Sequence, residues 1–391
     1  MTERIYYNDP YARSFDARVV HVRTVAGRTT VTLDRTAFYP SSGGQPFDTG
    51  TLNTARVVEV VEDEDGQMQH VIDGSLSEGE SVSGAIDWDR RFDHMQQHTG
   101  QHMLSAAFDR LLKVRTESFH LGTASATIDL AREVSPAEIA RAEKDANTVI
   151  WDDRPVVIRY ADADEAAKLP LRKDSTREGV LRLIDIEGYD ISACGGTHVS
   201  RTGAIATIAV ASWEKFRGGS RIAFVCGGRA LTAFHELRDA TAAIVRLLSV
   251  LPEEMPGAIE RTQAELKDAR RRIKDLQSQL ASHEARSLAD GESGSRAVVR
   301  ALEGWDQNGL KSIAMAIAER EGYTAVLIGL PPPSAIVVAR GTGSPHDASA
   351  VLRQLTARFG GKGGGRPELA QGGGLQGDLQ EMLAYAKTLL V

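Results

Sequence analysis

His98 and His102 stand four residues apart in HMQQHTGQHMLSAAF, and Cys194 and His198 stand four apart in SACGGTHVSRTG. Imidazole and thiolate are the donors that hold zinc. Positions i and i+4 share one face of a helix, so the two histidines of the first segment project together. Gly195 and Gly196 allow a turn that folds Cys194 and His198 back towards one point. The four residues supply two or three imidazoles and one thiolate, a ligand set suited to Zn2+. If His198 binds firmly the site is closed, as in structural zinc sites; if it stands back, a fourth place opens for water or substrate. Each half alone has a plain alternative, a buried helix histidine or a small apolar cysteine. Both halves in a chain with only two cysteines favour a metal. Thr99 occupies the place of the general-base Glu in HExxH, so a zincin-type protease lacks its base.

A second polar element is FYPSSGGQPFDTG, where Gly43 and Gly44 permit close backbone approach and Ser41, Ser42 and Gln45 offer polar contacts. Its plain alternative is a hairpin turn. GGKGGGRPELAQGGG near the C-terminus reads as a glycine-rich loop whose N–H groups can cradle phosphate, with Lys362 and Arg366 as the contacts. It lacks the GK[ST] ending of a P-loop, so nucleotide hydrolysis is not expected. His94 and His120 read as surface or core-edge histidines, and Cys226 as a buried, inert thiol.

These residues need elements to position them, and 391 residues are enough for two or three domains. Short alternating bursts (ARVVHVRTV, TTVTLDRTAFYP, ARVVEVVEDE, MQHVID, SVSGAIDW) predict a small β-barrel over residues 1–90. The period then becomes helical through MQQHTGQHMLSAAFDRLL, and a second helix should begin near Ser135 and Pro136. With the strands SATIDLA, VVIRYAD, VLRLIDIEG, AIATIAVASWEKF and SRIAFVCG, residues 91–232 predict an α+β domain. Residues 233–295 predict a helical linker. Ile259, Leu266, Ile273 and Leu280 recur every seven residues, a stripe that a partner helix must cover, from a hairpin in the chain or from a second subunit. SLADGESGSRA reads as a flexible joint. Residues 296–391 predict a compact α/β module, so the fold class is α+β multidomain.

Hydrophobic residues at 42% and charged residues at 25% are those of an ordinary soluble domain. A net charge of −7 argues against a nucleic-acid partner on composition alone. Charge is uneven, however: Lys215, Arg217 and Arg221 surround a Gly-Gly, and six cations lie between Arg261 and Lys274. No apolar run is long enough for a membrane span, the start of the chain lacks a signal-peptide core, and two distant cysteines exclude a disulfide framework. A reducing cytoplasm is the expected setting.

Taken with their order, the four motifs HMQQHTGQHMLSAAF, SACGGTHVSRTG, FYPSSGGQPFDTG and GGKGGGRPELAQGGG resemble those of the freestanding alanyl-tRNA editing proteins, AlaX, of the long type. The first three also resemble the editing domain of alanyl-tRNA synthetase, and the last its C-terminal DHHA1 domain. The resemblance covers essentially the whole chain. It implies a hydrolase that removes serine or glycine from mischarged tRNA(Ala), with His98, His102, Cys194 and His198 holding zinc. It implies that Ser41, Gly43, Gly44 and Gln45 line the editing pocket. The family often has Thr where this chain has Ser41, which keeps the hydroxyl and loses a methyl. Lys215, Arg217 and Arg221 become candidate tRNA contacts, and DHHA1 domains imply tRNA holding or a homodimer. The chain opens almost directly into the barrel segment, so no aminoacylation is expected. Three rivals stand beside this reading. One is a tRNA-binding or dimerisation protein with structural zinc, one an editing hydrolase for a different charged tRNA, and one an acidic enzyme with no RNA partner.

Overall fold

The computed structural model describes residues 2–25, 27–172, 179–291 and 295–391. The chain forms two compact units, Met1–Ala243 and Ile244–Val391. The joint expected around SLADGESGSRA is partly helical, since its helix runs to Asp290, and residues 292–294 lie outside the described residues.

The first unit opens with a closed six-stranded antiparallel barrel. Its order is Ser14–Val25, Arg28–Leu33, Met68–Asp73, Ala55–Glu62, Gly50–Leu52 and Ser81–Ile86, which returns to the first strand. Alternate residues such as Val31, Leu33, Val57, Ile72 and Val82 fill the interior, as the period-two pattern requires. Register shifts at Val19/His21 and Val57/Glu59 supply the local bend that closure needs.

A histidine sits in that barrel core. His70 is fully buried, with Nε2 at 2.8 Å from Thr36 Oγ1 and Nδ1 at 3.1 Å from the Val31 carbonyl. Burial holds its pKa down to about 4, against a small upward pull from the Val31 bond. A histidine depressed in the folded state contributes stability above pH 6.5, and that contribution is lost as the pH falls towards 4. Urea unfolding at pH 7 and pH 4.5 should therefore show wild type losing about 2 kcal/mol more than His70→Gln. Parallel losses in the two proteins would remove His70 as the acid-sensitive group.

After the barrel comes the helix Trp88–Leu112, buried without a break from His94 to Phe108. The helix Pro136–Trp151 packs against it. As expected at Ser135, a capping box starts that second helix: Ser135 N donates to Glu138 Oε2 at 2.7 Å, and Glu138 N to Ser135 Oγ at 3.3 Å. Both helices share an apolar core with a four-stranded antiparallel sheet ordered Ile208–Phe216, Gly219–Cys226, Ala126–Leu130, Thr116–Leu121. A three-stranded sheet, Val156–Ala161, Leu181–Ile186 and Asp190–Ala193, carries the second metal-type motif at its end.

The second unit begins at Ile244 in the helix Gly227–Leu248; the helical stretch breaks around Pro252 and resumes as the helix Met255–Asp290, with Pro256 in its first turn. Ile259, Leu266, Ile273 and Leu280 are exposed along it. A five-stranded sheet follows, ordered Ala297–Glu303, Thr324–Leu330, Ser334–Arg340, Leu369–Leu375, Lys362–Arg366, with only the first pair parallel. Helix Gln307–Ala318 covers one face, on Val298, Leu327 and Val337. Helices Ala348–Phe359 and Leu379–Thr388 cover the other, on Val299, Val326 and Val338. The segment read as a glycine-rich loop is instead a hairpin, of the edge strand Lys362–Arg366 and its neighbour Leu369–Leu375. Gly363 pairs with Gly372 and Gly365 with Ala370, and the missing side chains let the two backbones lie close. Among the described residues, no helix is long and apolar enough to cross a membrane.

Candidate metal and editing site

The four candidate ligands meet although the chain separates them by nearly a hundred residues. One donor atom from each of His98, His102, Cys194 and His198 lies within 4.8 Å of the other three. Cys194 Sγ is 3.5 Å from His98 Nε2 and 3.3 Å from His198 Nε2. Zinc bonds of ordinary length arranged tetrahedrally put sulfur and nitrogen about 3.6 Å apart. The spacing fits that shell.

Each imidazole is also turned by a partner behind it. His98 Nδ1 lies 2.8 Å from Gln45 Oε1, and His198 Nδ1 lies 3.2 Å from Thr99 Oγ1. Thr99 donates its proton to the Met95 carbonyl at 2.8 Å and so can only accept from His198. His102 Nδ1 stands 3.3 Å from Asp190 Oδ2, and Arg172 Nε donates to the other oxygen of that carboxylate, Oδ1, at 2.7 Å. Nδ1 of His98 and of His198 is held by a hydrogen bond and that of His102 faces the Asp190 carboxylate, which leaves three Nε2 lone pairs for the centre, the outer arrangement typical of metal-bound histidine. Thr99, which denies the site a protease base, has a different task here.

Electrostatics favour a thiolate at Cys194 and a neutral ring at His198. Burial pushes the Cys194 thiol up, but His98 and His198 beside it bring it well below its ordinary value. His198 falls to about 3, through burial and then the neighbouring His98. His102 moves the other way, because Asp190 and Cys194 outweigh its burial. Asp190 stays ionised, at about 2, since His102 and Arg172 overcome the cost of burying it.

Gln45 ties the glycine-rich element to the metal cluster. Its Oε1 accepts from Thr197 N at 3.1 Å as well as facing His98, and its Nε2 donates to Thr197 Oγ1 at 2.8 Å. Gly43 and Gly44, at φ +53° and +81°, make the turn that brings Gln45 back to pair with Ser42. A Cβ on Gly196 would lie 2.2 Å from His98 Cε1, so only glycine lets the CGGTH turn approach that ring. A cavity of about 900 Å³ opens beside the cluster, lined by Ser42, Gly43, Gly44, His102, Phe119 and Cys194 among others. Ser41 is exposed and off the cavity wall, its N–H bonded to the Val60 carbonyl at 3.1 Å.

The candidate RNA contacts lie elsewhere. Lys215 pairs with Glu133 and Arg221 with Asp129, each at 2.7 Å, and the Arg221 guanidinium lies 3.6 Å from the centre of the Phe216 ring. Arg217 flanks the same ring at 4.9 Å. Lys362 and Arg366 are exposed on the outer strand of the second unit. His94 is buried, His120 is exposed on its strand, and Cys226 is buried with its thiol raised by desolvation. Asp190 was missed by sequence reasoning, although period-two alternation puts Asp190, Ser192 and Cys194 on one face.

The sequence is similar to those of known proteins. Residues 10–90 match the model for tRNA synthetases class II (A), and 181–222 that for the threonyl and alanyl tRNA synthetase second additional domain. Residues 294–391 match the DHHA1 domain. The alanyl-tRNA editing protein AlaX-L of Pyrococcus horikoshii is 35% identical over 387 residues, covering 95% of this chain and 94% of that protein. The alanine–tRNA ligase of Natronomonas pharaonis is 38% identical over 411 residues, with 44% of the ligase covered. That of Pyrococcus furiosus is 34% identical over 395 residues, with 42% covered. The chain thus spans less than half of each ligase.

Proposed function

The chain belongs to the AlaX-L family of alanyl-tRNA editing proteins, and from that premise we propose that it is a trans-acting hydrolase for mischarged tRNA(Ala). It cleaves Ser-tRNA(Ala) and Gly-tRNA(Ala), leaves Ala-tRNA(Ala) intact and attaches no amino acid. The observation that carries this reading is Gln45, whose one buried amide joins the SSGGQ turn to His98 and to Thr197 of CGGTH, behind the wall that Ser42, Gly43, Gly44 and Cys194 give a single cavity. His98, His102, Cys194 and His198 would hold zinc, which when bound supplies a fixed positive charge beside the ester. Gln45, Thr99 and Asp190 keep the three rings oriented. An aminoacyl ester is already activated, so positioning it against water suffices for a large acceleration.

Selectivity follows from the cavity's polar wall. A site built to hydrogen-bond the serine hydroxyl leaves buried groups unpaired when alanine enters. Ser42 supports this role, because it lines the cavity and its hydroxyl has no partner among the described residues. The barrel and α+β segments hold the aminoacyl end, and the DHHA1 segment holds the tRNA body. Lys215, Arg217, Arg221, Lys362 and Arg366 contact phosphate, and the protein acts in the cytoplasm, where tRNA is charged.

The test is a panel of Ser-, Gly- and Ala-charged tRNA(Ala) with Ser-tRNA(Thr), incubated with zinc-loaded protein. Loss of serine and glycine from tRNA(Ala) alone is the expected result. Cleavage confined to Ser-tRNA(Thr) would transfer the activity to the threonine system. A zinc-loaded protein that cleaves nothing would be a tRNA-binding protein with structural zinc, the reading a closed four-ligand set favours.

A further inference from the structure

We infer that Tyr7 contacts the substrate, its hydroxyl donating a hydrogen bond to the carbonyl oxygen of the aminoacyl ester; this rests on the deacylase reading above. Tyr7 ends the short turn Ile5–Tyr7 and lines the same cavity as Cys194, Gly195 and Gly196. Its Oη lies 3.6 Å from the point where a Cβ on Gly195 would stand, so the phenol oxygen faces the turn that carries the thiolate ligand.

The proton of that phenol is free. Arg4 Nη1 donates to Tyr7 Oη at 3.0 Å, and arginine has no acceptor, so Tyr7 is the acceptor in this bond. No other residue among those described takes the Tyr7 proton. Arg4 is itself fixed, by its ion pair with Glu62 and a 3.2 Å bond to the Gly66 carbonyl. A hydroxyl that accepts from a cation becomes a stronger donor.

Arg182 locks the other side. It is 8% exposed, and its Nε donates to the Tyr7 carbonyl at 3.0 Å. Its Nη1 donates to the carbonyls of Cys194 at 2.6 Å and Gly196 at 3.0 Å. One guanidinium thus sets the spacing between Tyr7 and the metal-binding turn. Arg4 and Arg182 each lie 5.4 Å from the centre of the Tyr7 ring. Among the described residues, no carboxylate pairs with Arg182, which leaves a buried positive charge where an ester oxygen gains negative charge.

Chemistry assigns the phenol its oxygen. Water adds to the carbonyl carbon, the bond to the ribose oxygen breaks, and that oxygen takes the proton the water gives up. The phenol transfers nothing; its bond tightens as the carbonyl oxygen becomes negative, which accelerates the step more than it strengthens binding.

The experiment is Tyr7→Phe in the full zinc-loaded chain, assayed on Ser-tRNA(Ala). The expected result is a fall in kcat of roughly a hundredfold, with KM within about a factor of two. Zinc content and the thermal midpoint should match wild type. Full activity in Tyr7→Phe beside an active wild type would overturn the Tyr7 role alone. Zinc loss or a lowered midpoint would make Tyr7 structural and overturn it too. A wild type that cleaves no charged tRNA would remove the deacylase reading and this inference together.

Discussion

Cys194→Ala should lose both zinc and deacylation of Ser-tRNA(Ala). Four ligands share a binding free energy of about 10–16 kcal/mol in structural zinc sites, so removing one costs about 3 kcal/mol, or roughly a hundredfold in affinity. The loss here should be at least that large, because the remaining donors depend on the thiolate. Cys194 Sγ is the atom that His98 Nε2 and His198 Nε2 both face, at 3.5 and 3.3 Å. Without it, two or three uncharged imidazoles would have to hold a divalent ion. Thiolate is also the only anionic donor among the four. Metal analysis after gel filtration, paired with the tRNA assay, reads the two effects separately. Chelation of the wild type should reproduce the mutant phenotype, and added zinc should restore the wild type but not Cys194→Ala. A variant that keeps a full equivalent of zinc would put the metal elsewhere. One that loses zinc yet cleaves at the wild-type rate would make the ion dispensable for the chemistry.

The legible part of this site was the part whose geometry is local. HTGQH needs only the helical period to put His98 and His102 on one face, and CGGTH needs only a glycine turn. Five of the six barrel strands were legible as alternation, the three-residue strand Gly50–Leu52 being too short to show it, and the helix at Ser135 as a cap. What was not legible depends on contacts between distant segments. Asp190 supports His102 because the Asp190–Ala193 strand lies against the Trp88–Leu112 helix, a tertiary fact. Tyr7 and Arg182 meet across 175 residues. The roles of Ser41 and Ser42 show a sharper limit. Neighbours in an extended segment point to opposite sides, and no pattern in SSGG says which serine looks inward. The structure turns Ser42 to the cavity and leaves Ser41 exposed. GGKGGGRPELAQGGG misled for a related reason. Glycine carries no strand signal of its own, so six glycines in two paired strands read as a loop.

Arg91→Met should cost the first unit about 3–5 kcal/mol, the usual result of stripping one partner from a buried ion pair. Arg91 and Asp48 are both completely buried. Arg91 Nε lies 3.0 Å from each Asp48 oxygen, and Nη1 and Nη2 bond the carbonyls of Pro10 at 2.9 Å and Ala37 at 2.5 Å. Asp48 also accepts from Tyr39 N at 2.6 Å. The guanidinium therefore fastens the Trp88–Leu112 helix to the segment that runs from Ala37 through the SSGGQ turn to Asp48. Methionine fills the volume but leaves the carboxylate buried beside a single N–H. Because a small domain has only about 5–15 kcal/mol to lose, partial unfolding at 37 °C is expected. The effect should reach the metal as well, since the same helix carries His98 and His102 while Gln45, which orients His98, sits three residues before Asp48. Replacing both partners, Arg91→Met with Asp48→Leu, should recover much of the stability, because no charge then remains unpaired. Zinc affinity should recover less, as the hydrogen bonds to Pro10, Ala37 and Tyr39 do not return. Urea unfolding and competitive zinc titration separate the two. A single-variant loss below about 1 kcal/mol, in the range of an exposed pair, would show that this contact does not hold the barrel to the helix.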